Sequence, residues 1–285
     1  MPANTSTSGE TTMATEVMDV ATRIANVDTG RFIRSLDRWI FPAMAALFFV
    51  TTLVGFIPSS MAKLAAVEAG QRPPLPPILH LHAVLMGSWL LLLLAQTSIV
   101  AADRRALHRK LGLIALVLVP AMVITGFVLV PTSYAMVWAM VASAPAEMAE
   151  QMQGVLGFAT NIALVQFRMG ILFPVLVGWA LYVRRTDPET HKRLMILATV
   201  LPLPAAIDRI AWLPSTLPVS PLSQDLYVFV WILPLLVYDL LRHKRVPRAY
   251  FIWMAVNVPL VVVTHLLWGS EWWMTTAPKL LGVVG

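Results

Sequence analysis

Five ionisable side chains stand inside otherwise apolar stretches of this chain: His82, Arg168, Asp208, Arg209 and His265. His80 stands just ahead of them in the string HLH. Ionisable groups are costly inside segments of membrane-spanning length, so each is a candidate for function. Neutral imidazole is a suitable axial ligand for haem iron and a common metal ligand, which makes His82 and His265 the candidates for haem b or a metal ion. Arg168 and Arg209 could face haem propionates, a quinone or a small anion, with Asp208 beside them.

The depth of these groups is informative. His82, Arg168, Asp208, Arg209 and His265 each lie a few residues inside one end of an apolar segment. At 1.5 Å per residue this places them roughly 6–9 Å below the same surface. Four segments therefore present ionisable groups at one level. His82, Trp89 and Gln96 share a helical face through their spacing of seven, and a His–Trp–Gln stripe should look into a bundle. His80 lies about 200° away from His82 on a regular helix, so both reach one site only if the turn after PPLPP is irregular. Asn257 and His265 lie about 80° apart, compatible with one inward face.

The elements that must position these groups are membrane helices. Of 285 residues, 58% are apolar and only 13% charged. Seven apolar segments are expected at 39–57, 78–101, 111–131, 162–183, 194–213, 226–241 and 249–269, most near the ~20 residues that span a bilayer. The fold expected is an all-α integral membrane bundle of about seven transmembrane helices over 39–285. Residues 1–15, rich in Ser and Thr, are expected to be a disordered tail. Residues 16–38 suit a helix lying on the membrane surface, with Val17, Val20, Ala21 and Ile24 on one face and Arg23, Arg31, Arg34 and Arg38 for anionic headgroups. No signal-peptide pattern stands at the start.

Orientation follows from Lys and Arg. The tail and segments 102–110, 184–193 and 242–248 hold 16 of the 21, leaving Lys63, Arg72, Arg168, Arg209 and Lys279. The positive-inside rule then places the N-terminus inside and the C-terminus outside. The location expected is a bacterial inner membrane, with the bilayer as partner. The net charge of +6 is spread over these four segments and forms no nucleic-acid footprint. Trp39, Trp179, Tyr182 and Trp253 fall near the inner interface, and Trp212, Trp268, Trp272 and Trp273 near the outer one.

Within the long connection 132–161, Pro145 should open a helix that runs into the fourth segment. Pro202 and Pro204 should interrupt the fifth just before Asp208. A weak internal repeat matches the second and third segments around RRALHRKL with the fourth and fifth around RRTDPETHKRL. His108 and His191 are expected at helix entries or headgroups, Asp103 and Asp187 in turns or caps, and Tyr238-Asp239 as partners of the basic loops.

With no cysteine, disulfides, thiolate zinc sites, iron–sulfur clusters and C-x-x-C-H covalent haem are excluded. No Walker loop, H-E-x-x-H, G-x-S-x-G or histidine-box spacing is present.

The strings HLHAVLMGSWLLLLLAQ, DRRALHRKLG, THKRLMILAT and VYDL…RAY resemble a group of bacterial multi-spanning membrane proteins of uncharacterised activity, over most of residues 75–252. HxH, LHRxLG and HKRLM are the more specific pieces. A looser resemblance is to b-type di-haem membrane cytochromes. It implies an outer haem pair of His82 with His265 and an inner pair of His108 with His191, although the inner two stand at or beyond the membrane edge. Three functions follow as expectations. One is a redox protein holding haem b or a metal at the outer level. Another is a transporter or receptor for a small anionic molecule in the same pocket. The third is a structural or assembly subunit.

Overall fold

Proline sets many of the boundaries. The computed structural model describes the backbone of residues 7–283, and side chains from Arg31 onward. The described residues form helices α1 (Thr7–Glu68), α2 (Pro77–Ala101), α3 (Arg105–Leu111), α4 (Ala115–Ala142), α5 (Ala149–Val183), α6 (Pro188–Thr199), α7 (Pro204–Ile207), α8 (Leu222–His243), α9 (Arg248–Leu267) and α10 (Glu271–Leu280), with no strand among them. Pro77, Pro188 and Pro204 open α2, α6 and α7. The first helical position tolerates proline because its missing N–H has no intrahelical partner there. Asp187 caps α6, its Oδ1 accepting from the Thr190 N–H at 3.0 Å. Asp103 takes the turn after α2 in the left-handed region, φ 58°.

The chain divides into one unit ending at Ile40 and another starting at Phe41. Of the expected tail, residues 1–6 lie outside the described residues, and the backbone is helical from Thr7. The side chains assigned to a membrane-surface face at 17–24 also lie outside them.

In the larger unit, α6 is the buried centre. Leu194, Ile196, Leu197, Ala198, Val200 and Leu201 are at most 1% exposed. Helices α5 and α9 pack against α6 and against each other, and α4 packs between α2 and α5. Trp89 of α2 meets Phe173 of α5 edge-to-face, with ring centroids 5.2 Å apart, and donates its indole N–H to Thr199 Oγ1 at 3.1 Å. The stripe expected on α2 therefore faces inward at Trp89.

Among the described residues, six segments are long and apolar enough to cross a membrane: Arg31–Glu68, Pro77–Ala101, Arg105–Ala142, Ala146–Val183, Leu222–His243 and Arg248–Leu267. Val84, Val117, Ile124, Phe251 and Leu266 lie exposed on them. So much apolar surface suits lipid rather than water. The protein is a multi-pass helical membrane protein.

The expected fifth segment, 194–213, is not one long helix. After Thr199 the chain turns, resumes as the short α7 and turns again at Asp208. Pro202 and Pro204 supply no N–H for helix continuation. Non-helical backbone at membrane depth is tolerated where protein buries it, and Leu201, Leu203 and Pro204 are buried. The connection expected at 132–161 is also shorter than anticipated, because α4 continues through Pro131 to Ala142. After Pro145 one 3₁₀ turn leads directly into α5, as expected. Tyr134, Ala163, Leu164, Trp273, Ala277 and Leu281 form a core cluster that holds α10 against α4 and α5.

Candidate functional site

Arg168 on α5 is 4% exposed, so its charge needs a partner inside the protein. Asp225, in the first turn of α8, supplies it: Arg168 Nη2 donates to Asp225 Oδ1 at 2.5 Å. The other carboxylate oxygen, Oδ2, lies 2.9 Å from Nε2 of His265 on α9. One carboxylate thus joins two of the expected residues across three helices. Two guanidinium nitrogens of Arg168, Nε and Nη1, are buried with no hydrogen-bond partner in the protein. They lie on different edges of the guanidinium, and each is a donor that a carboxylate, phosphate or carbonyl oxygen can accept from.

Asp225 was not among the expected residues. It stands in the string SPLSQD, which reads as a turn ahead of the sixth segment. Two signals pointed to it: that segment is too short unless it starts near Ser223, and Arg168 lacked a counter-charge. In the structure α8 starts at Leu222. An acid in the first turn also suits the helix dipole.

Asp208 joins the cluster through Gln224, the neighbour of Asp225. Gln224 Nε2 donates to Asp208 Oδ2 at 2.5 Å, while Asp208 Oδ1 and Gln224 Oε1 are buried without partners. Arg209 turns elsewhere. Its guanidinium lies over the Phe56 ring, 4.5 Å from the centroid, and donates to the Ala205 carbonyl. Lys63 is close enough to feel the charges of both Arg209 and Arg72. Three cations are therefore gathered near the end of α1, and Arg72 Nε is itself buried and unpartnered.

The two histidines expected to form a pair have different partners. His82 Nδ1 lies 3.0 Å from Thr125 Oγ1 of α4. Thr125 directs its own hydroxyl proton to the Ala121 carbonyl at 2.8 Å, so the imidazole N–H is assigned to Nδ1 and the lone pair to Nε2. A side chain at Gly126 would touch the ring, its Cβ lying 3.4 Å from His82 Cε1. His80 is exposed. Among the described residues, no group of three or more His, Asp or Glu converges as a metal site. Asn257 is buried on α9 with its carbonyl oxygen unpartnered.

The opposite end of the bundle is a satisfied network. Asp239 of α8 accepts from Arg193 Nε at 2.9 Å, Arg193 Nη2 at 2.5 Å and the Tyr250 hydroxyl at 2.9 Å. The expected pairing of Asp239 with a basic loop is thereby met. Gln96, with its amide turned to suit its neighbours, donates to His108 Nδ1 and accepts from the Gly112 N–H at 2.8 Å. His191 Nδ1 donates to the Ala180 carbonyl at 2.8 Å. Each histidine thus ties a basic loop back onto the helix before it, at corresponding places in the two hairpins that resemble one another.

His191 makes stability depend on pH. Burial holds its imidazole below the ordinary range; the Ala180 carbonyl acts in the opposite sense, while His108 and Arg184 add to the lowering. As pH falls below about 6.5 the unfolded chain takes up this proton before the folded one, so folded stability falls with pH. The melting temperature in detergent is expected to drop between about pH 7 and pH 5, and His191→Asn to flatten that slope. An unchanged slope in the variant would remove His191 as its source.

Compared with known proteins, the chain matches no family model, no curated protein and no solved structure.

Proposed function

We propose that this protein binds a small anionic molecule within the membrane, as a transporter or receptor. In this reading seven segments cross a bacterial inner membrane, with the N-terminus inside and the broken α6–α7 segment as the fifth crossing. The site opens toward the outer face. The observation that carries the proposal is Arg168: buried, anchored by one nitrogen to Asp225, with two nitrogens unpartnered. Lys63, Arg72 and Arg209, gathered near the end of α1, are the cations that would draw an anion toward it. Broken helices beside binding sites are a recurring feature of transporters, and α7 delivers Asp208 to this one.

The test is thermal stability of the purified protein across a panel of small carboxylates and inorganic anions. At least one should raise the melting temperature. Arg168→Gln should weaken that ligand by about tenfold or more, since a hydrogen bond to a charged group contributes roughly 1.5–3 kcal/mol. If Arg168→Gln does not fold, Lys63→Gln reads the same site from its mouth. Flat responses across the panel would count against the proposal.

A second reading, a redox protein with haem b or a metal on His82 and His265, has one observation in its favour. His82 Nδ1 lies 3.0 Å from Thr125 Oγ1, and with Nδ1 donating there Nε2 would bear the lone pair that axial ligation needs. His265 does not fit as its partner, because its Nε2 is turned to Asp225. An absorption spectrum of the purified protein separates the two readings: a Soret band shifted by His82→Ala would favour haem.

A further inference from the structure

At the end of the bundle that holds Asp239, a groove of about 570 Å³ runs between α5 and α9. Its lining is Val175, Gly178, Trp179, Tyr182, Val183 and Arg248. These residues are ordered by polarity along α5. Val175 and Gly178 form an apolar floor, Trp179 and Tyr182 follow, and Arg184 and Arg185 begin the adjoining loop. Indole and phenol side chains prefer the headgroup level of a bilayer, with apolar surface on one side and water on the other. Tyr182 is 85% exposed, far more than a phenol committed to protein packing would be. The groove is open at Gly178, which is exposed and where an added Cβ would meet nothing within 4 Å.

The rim carries a net positive charge. Arg184, Arg185 and Arg248 are exposed there. Of the two acids of the neighbouring loop, Glu189 pairs with Lys192 and Arg193, and Asp187 accepts from the Thr190 N–H and stays a charge near Arg248, leaving three arginines against one carboxylate. What fits an apolar slot with an aromatic collar and a basic rim is an amphiphile with an acyl chain and an anionic head. We propose that this groove is a binding site for one anionic phospholipid, its phosphate at Arg248 and an acyl chain lying over Gly178 between α5 and α9. The site is separate from the Arg168 cluster and does not depend on it.

Native mass spectrometry of the detergent-purified protein tests this, with phosphatidylglycerol and phosphatidylcholine of matched acyl chains as probes. Phosphatidylglycerol should be retained in preference. Arg248→Gln should reduce its retention about fivefold, the effect of one basic residue beside an anionic headgroup. Gly178→Leu should reduce retention of both lipids by filling the floor. Arg245→Gln, a basic residue of the same loop outside the groove, should leave retention unchanged. Equal retention of the two lipids would overturn the proposal, as would an equal loss in Arg245→Gln, which would mean diffuse attraction to the basic loops. If Gly178→Leu lowers the melting temperature without lipid, the comparison of Arg248→Gln with Arg245→Gln decides alone.

Discussion

Replacing Asp239 with Ala is expected to destabilise the protein by about 3–5 kcal/mol, the cost of removing one partner from a buried ion pair. Asp239 is 0% exposed, and Arg193 is 1% exposed. Burial opposes the charge on Arg193, but its hydrogen bonds to Asp239 and Glu189 outweigh that and raise its pKa above the ordinary arginine value. A guanidinium stays charged in proteins, so it remains so when Asp239 is removed. Without Asp239, Arg193 keeps only Glu189, at 2.6 Å from a carboxylate that is 63% exposed. Tyr250 would also lose the acceptor of its buried hydroxyl. Glu189→Gln removes the solvated arm of the same network and should cost no more than about 1 kcal/mol, as exposed ion pairs do. The double variant Arg193→Met, Asp239→Leu should recover much of the loss, because no buried charge is then left alone. Unfolding in detergent measures all three. If Asp239→Ala and Glu189→Gln melt alike, Asp239 is not the anchor of this end.

These two polar ends differ in how far they could be foreseen. A charged residue in an apolar run announces itself, so Arg168 and His265 were legible, and so was the break at Pro202 and Pro204. Arg193 and Asp239 flank basic loops, where the excess of positive charge makes a pairing with a nearby acid the natural expectation. Spacing by seven correctly turned Trp89 inward. What spacing cannot supply is azimuth: it says that His82 faces other helices without saying which. The neighbour is α4, through Thr125. Depth has the same limit, since residues at one level on four helices need not meet. Arg168 and His265 meet only through Asp225, and Arg209 meets Phe56 instead. The break in the fifth segment decides much of this. Once the helix stops at Thr199, facing predicted from a regular 3.6-residue turn no longer holds for Asp208 and Arg209.

That break also defines the second large effect. Gly55→Ala is expected to destabilise the protein by at least the roughly 1–3 kcal/mol of an overpacked core and to disturb the Arg168 end with it. A Cβ at Gly55 would lie 2.1 Å from the Ala206 carbonyl oxygen and 2.7 Å from its carbon. The obstacle is backbone, so no side chain can rotate out of the way. Either α1 moves off, or α7 does. Movement of α1 would strain the hydrogen bond from Trp231 Nε1 to Thr51 Oγ1, at 2.8 Å one turn before Gly55. Movement of α7 would carry Asp208, two residues beyond Ala206, away from Gln224, and Gln224 adjoins the carboxylate that holds Arg168. Gly55 is thus required by the closeness of two backbones, not by its own dihedral angles. The comparison that isolates this is Gly154→Ala, at a glycine whose added Cβ would meet nothing within 4 Å. Gly154→Ala should leave both the melting temperature and anion-induced stabilisation near their original values. Gly55→Ala should lower the first and weaken the second. Equal behaviour of the two variants would mean that α1 and the broken segment can separate without cost.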